Sequence, residues 1–228
     1  MAITQDVVSV NYDTSTTNPS VSHAAASSGV RGVLVLAVLN GKSNETATAT
    51  YGGQSMTEVA LSPAIKATAE DAVAVGFFLG ASVAQGTQTA QVTWTGSASS
   101  EKQMMVVTYT ADGDMSVVDT SSLLADSSGV NPTVTLSLSG ETCACAQVWM
   151  SGRGTVGGVA PATGWTSQDE NDAGPQVVGC DTYDTIASSD VSAGLAQGSD
   201  DIVLLAVAVR ESVVAATGAH KLSLLGVG

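Results

Sequence analysis

Three stretches of the chain are apolar on both faces of a β-strand, and this limits what the sequence can fold into. They read "GVLVLAVL" (32–39), "MMVVTYT" (104–110) and "DIVLLAVAV" (201–209). A strand in a simple two-sheet sandwich has only one core face, so the second face of these strands needs a cover. The cover is either the chain's own loops and terminal segments or another subunit or partner, since large apolar patches are rarely left exposed.

Other strand candidates have one apolar and one polar face. In "TAQVTWT" (89–95) and "TVTLSLS" (133–139), apolar residues alternate with Thr, Ser and Gln, which is the pattern of a half-buried strand. Helical periodicity is nearly absent, and its best candidate, "SPAIKATAEDAV" (62–73), continues directly into strand-like residues. Strands separated by turns, without intervening helices, predict an all-β, antiparallel two-sheet β-sandwich with little or no helix.

The charge balance excludes two classes of partner. Seven basic residues against 21 acidic residues give a net charge of −14. Nucleic acids and anionic membrane surfaces both attract clustered Lys and Arg, so neither is expected to bind this chain. The longest apolar runs are too short to span a bilayer, and residues 1–20 lack the pattern of a signal peptide. We therefore expect synthesis and folding in a cytoplasm.

The three cysteines are interpreted as small buried thiols. Cys143 and Cys145 lie two residues apart in a predicted strand, where their side chains point to the same face about 6–7 Å apart. That separation is too large for a disulfide between them, whereas pairing of either with Cys180 stays open. A zinc site would lack its fourth ligand, so no metal is expected.

No catalytic constellation is visible in the sequence. The histidines His23 and His220 lie near opposite termini, and no G-x-S-x-G motif is present. The glycine-rich "SGRGTVGG" (151–158) is not followed by the helix that a phosphate-binding loop requires. The acidic stretches "SQDENDAGP" (167–175) and "ADGDMSVVD" (111–119) lack EF-hand spacing and are interpreted as solvated turns, with calcium binding as the alternative. We expect no enzymatic activity and no cofactor.

The hairpin "TYGGQS" (50–55) supplies two candidate contact residues. Gly52 and Gly53 are expected to adopt the positive φ angles of a tight turn, which is a structural role. Tyr51 and Gln54 flank the turn and are candidates for contact with a ligand or partner. The sequence does not identify that ligand or partner.

One tryptophan is a candidate for glycan binding. Trp94 and Trp149 lie in predicted strands and are expected to be buried. Trp165 lies near a turn in "PATGWTSQ" (161–168), which makes it the best candidate for an exposed aromatic ring. Structural packing is nevertheless the favoured role for Trp165, and glycan binding is the alternative.

The order of these segments resembles a known domain. It runs through "GVLVLAVLNG" (32–41), "TATYGGQSMTEVAL" (48–61), "GTQTAQVTWTG" (86–96), "KQMMVVTYTADG" (102–113) and the closing "DIVLLAVAVRE" (201–211). This is similar to the jelly-roll or concanavalin-like β-sandwich of tailed-phage virion proteins and some bacterial surface proteins. The resemblance covers 30–211 and implies one domain, preceded by an N-terminal strand or arm (1–29) and followed by a C-terminal tail (212–228). In the tail, Leu222, Leu224 and Leu225 are candidate assembly contacts, and a disordered end is the alternative.

The resemblance implies a virion component without chemistry. The function expected first is a capsid decoration or cement protein on the outer surface of the head, bound to the major capsid protein. The resemblance also implies a homo-oligomer, with a trimer favoured. A glycan- or receptor-binding module on the head or tail tip is the alternative, and a tail-tube or baseplate subunit is a third hypothesis.

Overall fold

The computed structural model describes residues 3–15, 18–40, 46–59, 72–95, 101–125, 133–151, 160–173, 176–195 and 202–212. Within these ranges the secondary structure is entirely β, and all strand pairs are antiparallel. No helix long and apolar enough to cross a membrane occurs in the described part of the chain. The prediction of an all-β, antiparallel sandwich is confirmed. The helix candidate at 62–73 lies, apart from its last two residues, outside the described residues.

The described strands form four sheets, of which we call two the inner sheets and two the outer sheets. The first inner sheet contains, in spatial order, β1 (Thr4–Asp13), β9 (Lys102–Thr110), β3 (Val30–Asn40), β7 (Ala72–Leu79) and β6 (Thr57–Glu58). The second inner sheet contains β10 (Met115–Ala125), β16 (Ile202–Glu211), β12 (Cys143–Ser151), β14 (Gln176–Tyr183) and β13 (Trp165–Ala173). The first outer sheet contains β2 (Ser20–Ala24), β8 (Thr87–Trp94), β4 (Ala47–Tyr51) and β5 (Gln54–Ser55), and the second contains β11 (Thr133–Leu136) and β15 (Val191–Gly194).

The sheets are stacked in four layers, with the inner sheets at the centre. Leu34 and Leu36 of β3 face the second inner sheet, whereas Val33 and Val35 face the first outer sheet. The second inner sheet is likewise apolar on both faces, and its second face packs on β11 and β15. The two-faced strands β3, β9 and β16 are therefore covered by the chain's own sheets. Their second faces are closed to another subunit.

The chain contains the same β-unit twice. Unit 1 (residues 3–110) and unit 2 (residues 115–212) have inner sheets with the same strand order, β1-β9-β3-β7-β6 and β10-β16-β12-β14-β13. The outer pair β2-β8 of unit 1 corresponds to β11-β15 of unit 2. Across the central interface β1 contacts β13, β9 contacts β14, β3 contacts β12 and β7 contacts β16. This reversed order relates the units by an approximate twofold axis that passes between β3 and β12.

The ends of the chain differ in part from the sequence-based division. Residues 4–13 form β1, which pairs with β9, and residues 20–24 form β2, which pairs with β8. The predicted boundary at residue 30 therefore separates two strands from the sheets to which they belong. Of the predicted tail only Ser212 is described, so Leu222, Leu224 and Leu225 lie outside the described residues.

Candidate functional site

The hairpin at Tyr51 has a structural role in this fold. Gly52 and Gly53 have φ angles of 55° and 77°, which confirms their predicted turn conformation. Tyr51 is fully buried, so its predicted contact with a ligand or partner has no exposed surface to use. The Gln54 amide donates to the Ser82 carbonyl (2.9 Å) and accepts from the Ala84 N–H (2.9 Å). Gln54 therefore ties the hairpin to the loop before β8.

Trp165 is also buried, which confirms its favoured role in structural packing and leaves no exposed ring for glycan binding. It is 6% exposed, its indole N–H donates to the Ser192 carbonyl (2.9 Å), and its ring packs edge-on against Tyr183 with centroids 5.4 Å apart. The residue before it, Gly164, has a φ of 89°, and a Cβ there would lie 2.8 Å from the Tyr183 ring. The predicted burial of Trp94 and Trp149 is confirmed.

The acidic stretch 167–175 is not the solvated turn that the sequence indicated. Residues up to Ala173 belong to edge strand β13, which has a bulge between Ser167 and Asp169. Asp169 accepts hydrogen bonds from the buried Gln103 amide (3.0 Å) and from the Asn171 amide (2.7 Å). The Asn171 amide also donates to Gln103 Oε1 (3.1 Å), so Gln103 joins β9 of unit 1 to β13 of unit 2 through two hydrogen bonds. No cluster of three or more His, Cys, Asp or Glu that could hold a metal occurs among the described residues.

The cysteines are free and buried, as predicted. Cys143 and Cys145 face the second outer sheet, whereas Cys180 faces the central interface, on the other side of the same sheet. Pairing of Cys180 with either is therefore ruled out in this fold. Burial raises the pKa of Cys143 to about 11 and that of Cys145 to about 12, so these thiols stay protonated and unreactive at neutral pH.

A buried histidine network in unit 1 was not visible in the sequence. His23 Nε2 lies 3.0 Å from the Thr108 hydroxyl, and His23 Nδ1 lies 2.9 Å from the Ser9 hydroxyl. The Thr108 hydroxyl donates a hydrogen bond to the Asp6 carboxylate (3.1 Å), so it accepts a hydrogen bond from His23 Nε2–H. His23 Nδ1 then accepts a hydrogen bond from the Ser9 hydroxyl. Burial lowers the pKa of His23, although the nearby Asp6 opposes the shift.

In the chain Ser9–His23–Thr108–Asp6, a serine hydroxyl donates to a histidine that further hydrogen bonds orient, which is an arrangement that can activate a serine nucleophile. Neither of the two grooves described below is lined by any of the four residues. The network satisfies the hydrogen bonds of a histidine buried between an inner and an outer sheet, which is a structural role.

Unit 2 buries a carboxyl group in the corresponding layer. Asp181 is fully buried, and its Oδ2 accepts from the Gln147 amide (2.6 Å) and the Trp149 indole (2.8 Å). Its Oδ1 has no hydrogen-bond partner. Burial raises the pKa of Asp181 to about 7, against the effect of the two donors. In the sequence, Asp181 is a single acidic residue within a predicted strand, and nothing around it indicates a buried carboxyl group.

The outward faces of the two outer sheets are free of charge. None of the strands β2, β4, β5, β8, β11 and β15 contains Asp, Glu, Lys or Arg, and every charged residue in a described strand lies in an inner sheet. We call the exposed side chains of these sheets the first end face (Ser20, Ser22, Ala24, Thr48, Ser55, Thr87, Thr89, Gln91 and Thr93) and the second end face (Thr133, Thr135 and Ser192). The layer order places the two faces at opposite ends of the molecule. They are neutral surfaces on a chain of net charge −14.

Two grooves open at the seam between the inner sheets. The apolar groove, about 850 Å³, lies between β6 and β10 and is lined by Val59, Phe78, Met115 and Val117 among others. The polar groove, about 550 Å³, lies between the start of β1 and the strands β13 and β14. Because β13 corresponds to β6 and β1 to β10, the approximate twofold axis exchanges the two grooves. They are equivalent positions with different chemistry.

Comparisons with known proteins add little to this geometry. No protein-family model matches the chain, and no curated protein matches it either. A solved structure with some likeness is that of the PBSX exported protein XepA, at 10% sequence identity and a TM-score of 0.26, covering 91% of this chain and 86% of that one. A likeness at that level carries no argument about this chain's fold or function.

Proposed function

We propose that the chain is a structural protein of a phage virion, without enzymatic activity, that acts as a capsid decoration or cement protein. It binds the outer surface of the head and stabilises the shell by bridging subunits of the major capsid protein. The observation that carries this proposal is the pair of neutral end faces at opposite ends of one stacked molecule. The resemblance of the sequence to phage virion sandwiches supports the same assignment.

The charge distribution supports docking through these faces. Burying a charged side chain against a partner costs more than burying a neutral hydroxyl, because charges lose more hydration. The end faces of this acidic chain are therefore surfaces whose burial against a partner costs little. A molecule with one such face at each end can contact two neighbours at once. The bridge binds only the assembled lattice, and so stabilises that state by mass action.

Co-sedimentation with mature capsids that lack the protein tests this proposal. Wild-type chain should bind at a saturable, fixed ratio to capsid subunits and raise the temperature of capsid disruption. Thr89→Glu/Thr93→Glu on the first end face, and Thr135→Glu/Ser192→Glu on the second, should each weaken binding roughly tenfold or more, because each buries unpaired charge. Each single-face variant should also lose the rise in disruption temperature, since it holds only one neighbour.

The control places the same charge elsewhere. Ser27 and Ser28 are exposed in the loop between β2 and β3, so Ser27→Glu/Ser28→Glu should bind like wild type. No binding by the wild type would reject the cement role, and unchanged binding by both face variants would reject the end faces as its docking surfaces. Light scattering on the free chain measures the proposed homo-oligomer. Rings formed by the chain alone would favour the tail-tube hypothesis instead.

A further inference from the structure

We propose that the polar groove is a binding site for a neutral saccharide. Its volume of about 550 Å³ lies within the range of about 300–1,000 Å³ that is usual for small-molecule sites. No Lys or Arg lines it, and the chain has a net charge of −14, so phosphates, nucleotides and acidic sugars are disfavoured. Its polar lining consists of hydroxyls, amides and one carboxylate, which match the donors and acceptors of sugar hydroxyls.

The polar wall of the groove is held in place before any ligand binds. The Asp184 N–H donates to the Gly164 carbonyl (2.9 Å), and Asp184 Oδ1 accepts from the Thr166 hydroxyl. The Gln168 amide donates to the Thr182 hydroxyl (2.8 Å). These bonds leave Asp184 Oδ2 and Gln168 Oε1 as acceptors for a ligand. Fixed acceptors lower the entropy lost on binding.

The apolar part of the lining is aliphatic. Ile186 is 37% exposed and is the one large hydrophobic side chain exposed within the described ranges. Ile3 and Ala144 also line the groove. These side chains give sugar C–H groups a surface to cover. The Tyr183 ring packs with Trp165 on the opposite face of β14, so the two act as positioning residues behind the groove.

The equivalent groove supplies an internal contrast. At the same position in the pseudo-twofold arrangement, the apolar groove presents Val59, Phe78 and Met115, and its polar lining consists of two threonines and three carboxylates, without an amide side chain. A sugar that covers those apolar side chains would leave some of its hydroxyl groups without partners, which is costly. Tighter saccharide binding is therefore expected at the polar groove. This inference is independent of capsid docking, because the groove opens at the seam and not on an end face.

The test is a titration of the ¹⁵N-labelled full-length chain, followed by ¹H–¹⁵N correlation spectra. The probes are cellobiose, maltose, lactose and N,N′-diacetylchitobiose, each at millimolar concentration. At least one should give saturable shifts at the amides of Tyr183, Thr185 and Ile186, with smaller shifts or none at Phe78 and Met115. No saturable shifts with any of the four sugars, or shifts mainly at the apolar groove, would overturn the proposal.

Two variants and one control separate binding from folding. Asp184→Ala should weaken the sugar that binds roughly ten- to a hundredfold, the change expected for losing a hydrogen bond to a charged acceptor. Glu58→Ala, which removes an exposed carboxylate at the apolar groove, should leave affinity unchanged. If Asp184→Ala unfolds, Ile186→Ser keeps the test and should also weaken binding, because Ile186 lines the groove and belongs to none of the three core clusters. If Asp184→Ala and Ile186→Ser both fold and both bind the sugar with wild-type affinity, the groove is not the binding site.

Discussion

Units 1 and 2 share a strand order and bury different polar groups in the same layer. Unit 1 places neutral His23 among the hydroxyls of Ser9 and Thr108, whereas unit 2 places Asp181 between Gln147 and Trp149. Inner strands that are apolar on both faces and outer strands that alternate are common to both units, so the shared strand order does not require any particular buried polar group. A buried polar residue is free to change provided that its hydrogen bonds are made.

The difference also gives the units opposite responses to pH. Burial favours the neutral form of both groups, which lowers the pKa of His23 and raises that of Asp181 to about 7. Acidic pH therefore destabilises unit 1, whereas neutral or alkaline pH destabilises unit 2. Variants of the two residues can separate these effects.

The largest effect is expected for Asp181→Asn. Unfolded Asp181 loses its proton near pH 4, whereas the folded carboxyl keeps it until about pH 7, so the free energy of unfolding falls as pH rises between these values. The loss is on the order of 4 kcal/mol over the window. Asn keeps an acceptor for Gln147 and Trp149 and does not ionise. The variant should be more stable than wild type above pH 7, as urea unfolding at a series of pH values will measure.

The difference in free energy of unfolding between wild type and Asp181→Asn isolates the contribution of Asp181, because the other carboxyl groups titrate in both proteins. Near pH 4 the variant should be close to wild type in stability, and the gap should open in its favour with rising pH. A variant that is less stable than wild type at pH 8 would mean that Asp181 is ionised in the fold and that the two donors outweigh burial.

A second comparison uses one glycine from the corresponding strand of each unit. A Cβ on Gly179 of β14 would lie 2.3 Å from the buried Trp149 ring, which has no room to move. Gly179→Ala should cost about 3 kcal/mol by overpacking. A Cβ on Gly76 of β7 would meet methyl groups of Leu36 (3.1 Å), Leu205 (3.3 Å) and Val59 (3.3 Å), which need to shift by only a few tenths of an ångström, so Gly76→Ala should cost roughly 1 kcal/mol. Equal urea midpoints for the two variants would contradict this packing.

The smallest effect is expected for His23→Gln. Unfolded His23 gains its proton near pH 6.5, whereas the folded ring does so only at lower pH, so wild-type stability falls as pH drops below about 6.5. Gln can donate to Thr108 and accept from Ser9 without titrating. The variant should lose less stability than wild type between neutral pH and pH 5 in thermal melts. Parallel losses in both proteins would show that protonation of His23 has no part in the response.

Local patterns predicted the strands but not the duplication. The two-faced strands, the paired glycines of the hairpin and the buried cysteines each follow from a few adjacent residues, and each was predicted. The repeat leaves a weak trace in "NPSVS" (18–22) and "NPTVT" (131–135), which precede or open β2 and β11. Most of the repeated unit keeps only its pattern of two-faced and alternating strands, and that pattern also describes an undivided sandwich.

The features that depend on long-range contacts were not predictable. Strand β13 carries "SQDENDA" (167–173) without an apolar face, and its strand conformation depends on pairing with β14. Trp165 follows a turn, and nothing adjacent to it in the sequence indicates that it lies beneath β15. His23 and Thr108 are 85 residues apart, so no spacing rule links them. The polar groove likewise combines the start of β1 with strands of the other unit.

The layered stack has a mechanical consequence. If separate bodies hold the two end faces, a pulling force acts along the stack and across the strands. Backbone hydrogen bonds run within each sheet and take little of that force, so resistance comes from the apolar contacts between neighbouring layers. Such contacts are short-ranged, and separating two layers exposes their whole shared surface within a few ångströms. The chain should therefore behave as a stiff, brittle spacer that hardly stretches before a layer parts.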